Sequence, residues 1–242
     1  MSVVIGYLYS TQVTIGFMNS LMHMLITDQG TECHIKGIIS QLGTVNISLP
    51  RNKLVREFLD EYDGDWLLML DTDMVFDVDL VNKLLEHADP EKVPVITGLY
   101  FGLNKDNRLF PQIFYWQEQD DALAVSVQTY ERDALIQIDA TGAGCLMVHR
   151  SVLHKMREKY GDGPFPWFKE TEEKGLYLGE DFTFFARLSD MGIPVHMHTG
   201  IKLGHQKYSV VDERGWNRQQ VYLAVEQQSQ KTSDELVLEH DI

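Results

Sequence analysis

The sequence predicts an α/β fold built around a mostly parallel sheet. Up to residue 102, short apolar runs alternate with amphipathic segments of helical length. The most informative run is LLMLDTDMVF at 67–76, where four apolar residues lead directly into Asp71 and Asp73. Ligands of such sheets bind beyond the carboxyl ends of the strands. The two aspartates are therefore predicted to mark the functional edge of the sheet.

The same periodicities predict each element in turn. In the first half, strands are expected at 3–9, 33–40, 66–70 and 93–102, and helices from the N-cap Ser10 or Thr11 to about 28, at about 51–62 and at about 78–88. Residues 103–140 hold short β-like runs and no clear helical pattern. Beyond them, the pattern predicts a glycine-rich turn at 140–144, a strand at 145–149, helices at 151–160 and 179–190, and a last strand at 193–199 followed by GHQ at 204–206. This indicates one domain over 1–218, with halves at 1–102 and 103–218, and an acidic tail at 219–242.

Composition limits the classes of function. The chain has 242 residues, 44% of them apolar, and a formal net charge of −15, which opposes any global attraction to nucleic acid or anionic lipid. The first residues do not resemble a signal peptide, and no apolar run reaches the length of about 18 residues that a membrane span needs. We expect a cytoplasmic protein without a membrane span, with Cys33 and Cys145 both buried and reduced. The number of subunits stays open.

The paired aspartates predict a metal–diphosphate site. Aspartate is depleted in strands and costly to bury without a partner, and side chains two residues apart on a strand point the same way. Asp71 and Asp73, on either side of Thr72, can therefore face one cation, and carboxylates suit Mg²⁺ or Mn²⁺ beside phosphates. The alternative is that they cap the next helix, which explains one aspartate better than two.

Two further groups carry polar chemistry. Glu180 and Asp181 begin a helix, where acidic residues interact favourably with the helix dipole, or where one can act as a general base. His205 can complete a coordination sphere, although a lone histidine is more often a surface or core residue. His196 and His198 are weaker metal candidates, because an alternating strand with one wet face explains them.

Three features have both a structural and a functional interpretation. The glycines of Thr141–Gly144 let backbone approach a ligand closely. Arg51, beside Asn52 at a helix start, can bind phosphate or be a solvated first-turn residue. An aromatic cluster can stack on a sugar or on a flipped base, or can belong to the core; its members are Phe110, Phe114, Tyr115 and Trp116.

Together these motifs resemble the GT-A glycosyltransferases, especially glycosyltransferase family 2 and related short transferases of phages and bacteria. The resemblance covers roughly residues 3–210. It is carried by RNKLVREFL…GDWLLMLDTDMVF, DATGAGCLMVHRSVL, YLGEDFTFFARLSDMGIPV and LGH, in that order. The first strand ends in YLYSTQ, whereas this loop more commonly contains proline in the family.

The resemblance implies a GT-A fold, in which a Rossmann-like, nucleotide-sugar-binding half at 1–102 is fused to a smaller acceptor and catalytic half at 103–218. It implies Asp181 as the base with Glu180 beside it, and Asp73 and His205 as ligands of Mn²⁺ or Mg²⁺, with Asp71 contacting ribose or the metal. The implied nucleotide-sugar site consists of Tyr7, Ser10, Thr11, Arg51, Asn52, Asp71, Thr72, Asp73, Gly142, Ala143 and Gly144.

The predicted function is metal-dependent transfer of a sugar from a nucleotide-sugar donor, a UDP-sugar, to a hydroxyl group with inversion. The acceptor is open between a glycan, a protein side chain and a hydroxylated DNA base in a phage setting, where the protein would act in the host cytoplasm. Two alternatives are a nucleotidyltransferase with the same acidic metal site and a non-catalytic nucleotide- or sugar-binding module. The usual glycine-rich phosphate loop of the first alternative is absent from the sequence.

Overall fold

The computed structural model describes residues 1–104, 108–119, 122–127, 129–173 and 175–207. Every element described below belongs to one compact unit, Met1–Gln206. The predicted acidic tail at 219–242 lies outside the described residues.

The described helices are α1 (Ile15–Gly30), α2 (Ser48–Glu61), α3 (Leu80–His87), α4 (Arg150–Tyr160) and α5 (Glu180–Asp190). The strands of the first half are β1 (Val3–Tyr9), β2 (Ile35–Leu42), β3 (Trp66–Asp71), β4 (Met74–Val75), β5 (Val95–Leu99) and β6 (Phe101–Leu103). Those of the second half are β7 (Leu109–Pro111), β8 (Phe114–Gln119), β9 (Ala122–Ser126), β10 (Leu135–Ile138), β11 (Cys145–His149), β12 (Thr171–Glu173), β13 (Leu176–Leu178), β14 (Val195–Lys202) and β15 (Gly204–His205).

Among the described residues, seven strands form the central sheet in the order β10-β14-β5-β11-β3-β1-β2. β1 is parallel to both β2 and β3, and β14 is parallel to β5. β11 is antiparallel to β3 and β5, and β10 is antiparallel to β14, so the other five strands share one direction. The sheet is mixed and mostly parallel, which confirms the predicted fold class.

Helices cover both faces of this sheet. In β3, Leu67 and Met69 pack into the core beneath α2, α4 and α5, whereas Leu68 and Leu70 pack into the core beneath α1 and α3. Burial on both faces explains why the strand is an uninterrupted apolar run. The chain leaves β1 through α1 to reach β2, then returns through α2 to β3, so the strand order reverses beside β1. Such a switch point opens a crevice at the carboxyl ends of the strands.

Most predicted elements are present, with shifted ends. The first helix begins after Thr14, whose hydroxyl accepts a hydrogen bond from the Phe17 N–H, so the predicted N-caps Ser10 and Thr11 are wrong. The second helix begins at Ser48, before Pro50 rather than after it. The predicted strand at 93–102 is broken at Tyr100 into β5 and β6. Residues 103–140 contain hairpins and, among the described residues, no helix.

The two cysteines differ in environment. Cys145 is buried in β11, as predicted, and burial raises the pKa of its thiol to about 12. The prediction that Cys33 is buried is wrong, because this residue lies in the turn before β2, with a φ of 54°, and is exposed. Neither thiol is in a disulfide. Among the helices of the described residues, none has the length and hydropathy to span a membrane.

Candidate active site

The candidate site lies where β1 and β3 end. Leu8 pairs with Asp71 across these two parallel strands, and the Asp71 N–H donates to the carbonyl of Gly144 at 3.0 Å. The glycine-rich loop before β11 is therefore held against the end of β3. Tyr7, Arg51, Asp71 and Ala143 line the narrow crevice at this edge.

Asp73 and His205 are brought together by a short pair of strands. β4 and β15 pair antiparallel, and the Gln206 N–H donates to the carbonyl of Asp73 at 2.8 Å. His205 Nε2 lies 3.2 Å from Asp73 Oδ2, and its Nδ1 lies 2.9 Å from the Phe101 carbonyl. This places the Nδ1 hydrogen toward Phe101 and directs Nε2 at the carboxylate, an orientation typical of metal-ligating histidines.

A complete three-residue metal cage is not formed in the part of the chain that the structure describes. There, no cluster of three or more His, Cys, Asp or Glu side chains surrounds one point. The charges of Asp73 and His205 act on the pKa of Asp71. The Asp71 Oδ1 atom, however, is ion-paired with Arg51 Nη2 at 3.0 Å. Asp73 and His205 fit a divalent cation through their donor atoms, whereas the role of Asp71 as a ligand stays a prediction.

Arg51 connects the end of β3 with the start of α5. Its side chain is 7% exposed, and besides Asp71 it faces Glu180 Oε1, which lies 3.6 Å from Nη1. The guanidinium carbon also lies over the ring of Phe168, 5.5 Å from the ring centroid. Burial opposes its charge, but the carboxylates of Asp71, Glu180 and Asp181 raise the pKa of Arg51 above its usual value. Arg51 is thus buried rather than a solvated first-turn residue, and its predicted place in the nucleotide-sugar site stays a prediction.

Asp181 has the electrostatic character of a base. It lies in the first turn of α5, and its Oδ1 accepts a hydrogen bond from the Phe182 N–H at 2.8 Å. Burial raises the pKa of Asp181 to about 6, against the opposing effect of Arg51 and with further contributions from Glu180 and Asp71. A carboxylate with a pKa near neutrality is suited to accept and release a proton. Glu180 contacts Arg51, so its immediate task is to hold that cation.

Removal of water by the surrounding protein raises the pKa of Asp71, and this desolvation outweighs the opposing charge of Arg51. Nevertheless, 39% of the Asp71 side chain remains exposed. The carboxylate therefore lies at the base of an open crevice rather than in a closed interior. From there it can interact with both the buried guanidinium and a ligand in the crevice.

Tyr100 packs between the glycine-rich loop and His205, although no sequence pattern singles it out. The residue is 3% exposed, and its hydroxyl accepts a hydrogen bond from the Gly144 N–H at 3.2 Å. Its ring meets that of His205 edge-on at 5.5 Å. Burial raises the pKa of the phenol, and the charges of Asp71 and Asp181 add to the effect. A single tyrosine after a strand gives no sequence signal for this role; only the broken strand at 93–102 hints at a special position.

Tyr100 also explains the glycines of the loop. A Cβ on Gly142 would lie 2.3 Å from the Tyr100 hydroxyl, and one on Gly144 would lie 3.0 Å from the same ring. The loop therefore needs glycine in order to pack on tyrosine. Ala143 is buried between the two glycines. The expected close approach of this loop to a ligand stays a prediction.

Asn52 has a structural task that differs from the predicted one. Its Nδ2 donates to the carbonyls of Ser48 and Phe168, both at 2.7 Å, and its Oδ1 accepts from the N–H groups of Trp167 and Phe168. The residue is 2% exposed, and its amide joins the first turn of α2 to the loop before β12. Its polar atoms are engaged by the backbone, and the prediction that Asn52 lines the nucleotide site stays a prediction.

The remaining predicted residues lie at or near the crevice. Tyr7 is on β1 and meets Phe17 edge-on, 5.4 Å between ring centroids. Ser10 and Thr11 are exposed just beyond the end of β1. The Thr72 carbonyl accepts hydrogen bonds from both the N–H and the hydroxyl of Thr14, which fixes the turn between Asp71 and Asp73 against α1. These positions agree with a ligand-lining role without testing it.

The weaker metal candidates, His196 and His198, and the aromatic cluster lie in different parts of the structure. His198 stacks on His87 at 4.1 Å, away from the crevice, and His196 is half-buried on the same strand. In the aromatic cluster, Phe114 and Trp116 pack edge-on against Phe182, beside Asp181. Tyr115 faces away, and its hydroxyl donates to the Gln137 carbonyl at 3.1 Å.

Comparison with solved structures identifies the architecture. GalNAc-T7, in a crystal structure with UDP, GalNAc and Mn²⁺, matches with a TM-score of 0.55 and 11% identity, over 85% of this chain and 44% of that one. The chain has the GT-A fold. A197 from STIV matches with a TM-score of 0.50 and 17% identity, over 88% of this chain and 97% of that one. This chain thus spans less than half of the GalNAc-T7 chain and nearly all of A197.

These likenesses concern the fold. No protein-family model matches the chain, and no curated protein matches it in sequence. The fold alone does not determine the activity, which depends on the residues at the site.

Proposed function

We propose that this chain is a metal-dependent glycosyltransferase that moves a sugar from a UDP-sugar to a hydroxyl acceptor with inversion at the anomeric carbon. One observation carries the proposal: a carboxylate–imidazole pair follows the end of β3, and Arg51 joins Asp71 at that strand end to Glu180, next to a carboxylate with a near-neutral pKa. The GT-A neighbour GalNAc-T7 was crystallised with UDP and Mn²⁺, which supports this choice of donor and metal.

Asp73 and His205 would hold the cation. Mg²⁺ and Mn²⁺ take one or two carboxylates and complete their coordination with water and phosphate oxygens, so two protein ligands suffice. The cation, when bound, stabilises the negative charge that develops on the departing diphosphate. The Phe101 carbonyl keeps the His205 ring in its ligating orientation.

Asp181 would act as the general base. As the acceptor oxygen bonds to the anomeric carbon, its proton passes to the Asp181 carboxylate, and the bond from that carbon to the diphosphate oxygen breaks with both electrons leaving on UDP. A base and a leaving group on opposite faces of the sugar give inversion, through an oxocarbenium-like state. Arg51 favours the ionised form of Asp181, and so keeps more of it ready to accept a proton.

The test begins with nucleotide binding. With Mn²⁺ present, UDP should raise the thermal stability of the wild type, and Asp73→Asn should lose that response because it removes one charged ligand. Asp77→Asn is the matched control, since Asp77 is 76% exposed and pairs with Lys83 instead. Equal responses in all three proteins would contradict the metal role.

The reaction itself is tested with a donor screen. UDP-, GDP- and dTDP-sugars are incubated with the wild type and Mn²⁺, and release of the nucleotide is read by mass spectrometry. We expect metal-dependent release from a UDP-sugar. Activity with only another nucleotide would overturn the donor assignment, and binding without any turnover would favour a non-catalytic module.

A further inference from the structure

An aromatic groove runs directly beside the proposed base. It encloses about 330 Å³, within the range of small-molecule sites. Its lining includes Phe114, Tyr177, Gly179 and Phe182, together with apolar side chains of β9 and β13. Gly179 and Phe182 flank Glu180 and Asp181 in the sequence, so the groove opens at the amino end of α5, where the base lies.

The rings of this groove are held by one another. Phe114 meets Phe182 edge-on, with 4.9 Å between ring centroids and planes at 76°, and Trp116 supports Phe182 from behind at 6.2 Å. Tyr177, on β13, differs from them because it is 71% exposed. A rigid apolar wall with an exposed ring at its mouth offers a planar ligand a surface to stack on.

Acidic side chains lie close to the groove. Desolvation raises the pKa of the Tyr177 phenol, and the charges of Glu170, Glu180 and Asp181, which lie within electrostatic reach, raise it further. The described lining residues carry no charge of their own, and the cation Arg51 is buried behind the carboxylates. A phosphate group entering this groove would meet carboxylates and, among the described lining residues, no basic side chain, which is unfavourable at short range.

We propose that the groove binds a neutral pyranose ring as the acceptor, so that the transferase extends a glycan. This rests on the proposed function. A pyranose has an apolar C–H face that can lie on the rings of Tyr177 and Phe182, and hydroxyl groups at its edge that would be directed toward the start of α5, where Asp181 follows the lining residue Gly179 by two positions. A DNA strand carrying a hydroxylated base would bring its phosphates against Glu170 and Glu180, and a hydrocarbon chain would bring no hydroxyl group.

The experiment measures transfer to a panel of methyl pyranosides, with a serine- and threonine-containing peptide and a 5-hydroxymethylcytosine oligonucleotide in parallel. The donor is the one found in the donor screen, and products are read by mass spectrometry. For the preferred pyranoside, Tyr177→Ala should raise the acceptor KM about three- to tenfold, as expected for one lost stacking contact. Tyr177→Phe keeps the ring and should restore the wild-type KM.

Tyr115→Ala is the matched control, because Tyr115 is 39% exposed on β8 and does not line the groove. It should leave the acceptor KM unchanged. Transfer to the oligonucleotide or peptide but to no pyranoside would overturn the inference, as would an unchanged KM in Tyr177→Ala. Release of sugar from the donor by the wild type without acceptor reads the proposed function separately. If that release and UDP binding are both missing, the proposed function fails first.

Discussion

Replacement of Asp181 by asparagine should stabilise the protein while removing its turnover. Burial raises the pKa of this carboxyl to about 6 from an ordinary 3.8, so its ionised form is held at a cost to the folded state. Asparagine has nearly the same shape, carries no charge and can still accept the hydrogen bond from the Phe182 N–H. It cannot accept the acceptor proton, so turnover should fall at least about a hundredfold.

The size and the pH range of the stability gain follow from the two pKa values. The difference between 3.8 and about 6 corresponds to about 3 kcal/mol when Asp181 is fully ionised. The pKa of about 6 already includes the attraction to Arg51. The amide of asparagine must find its own hydrogen-bond partners, so we expect a net gain of about 1–3 kcal/mol. Below the unfolded pKa both states are protonated and the gain vanishes. The gain grows as pH rises from the unfolded pKa of 3.8 to the folded pKa of about 6, and it is constant at higher pH.

Urea unfolding at several pH values from about 4 to 8 measures this gain. Asp190→Asn is the control at the other end of α5, because its pKa is lowered by Lys159 and Tyr160 and its substitution should destabilise at neutral pH. A stability difference for Asp181→Asn that does not change with pH would show that the carboxyl is not desolvated. Wild-type turnover in Asp181→Asn would show that Asp181 is not the base.

Two other substitutions test the packing that shapes the site. Gly142→Ala places a Cβ 2.3 Å from the Tyr100 hydroxyl and should cost about 1–3 kcal/mol in urea unfolding; combination with Tyr100→Phe should recover most of this loss, and simple additivity would contradict the assigned clash. Asn52→Ala should cost about 2–4 kcal/mol because it leaves buried backbone groups near Phe168 without partners, while the folded fraction still binds UDP in titration calorimetry. Loss of UDP binding by a well-folded Asn52→Ala would support the prediction that Asn52 lines the nucleotide site.

The fold was predictable because its signals are local. An apolar run buried on both faces, such as Trp66–Leu70, differs from an amphipathic helix such as Ser48–Glu61 within a few residues. The order of the elements then limits the topology, and Asp71 could be placed at a strand end from the sequence alone. The ends of the elements were less accurate, since capping by Thr14 depends on the Thr72 carbonyl, 58 residues away.

The partners within the site were not predictable by the same means. Arg51 and Asn52 are neighbours on one helix, yet one neutralises carboxylates while the other holds a backbone loop more than a hundred residues away. The glycines of the 140–144 turn were attributed to a ligand, whereas Tyr100 occupies the space beside them. Each of these contacts joins segments that are distant in the sequence. Local sequence patterns at those positions do not indicate which residues will be in contact.

The position of Arg51 has a consequence for how the two sides of the site act on each other. One buried guanidinium faces Asp71, at the end of β3, and Glu180, beside Asp181. Its field also lowers the pKa of Asp181, whereas the charges of Asp71 and Glu180 raise it. In the proposed mechanism, a cation bound beside Asp71 and Asp73 would therefore favour the ionised form of Asp181, to the extent that the diphosphate does not neutralise its charge. Cation binding and ionisation of the proposed base would then be linked through electrostatics, without any movement of the backbone.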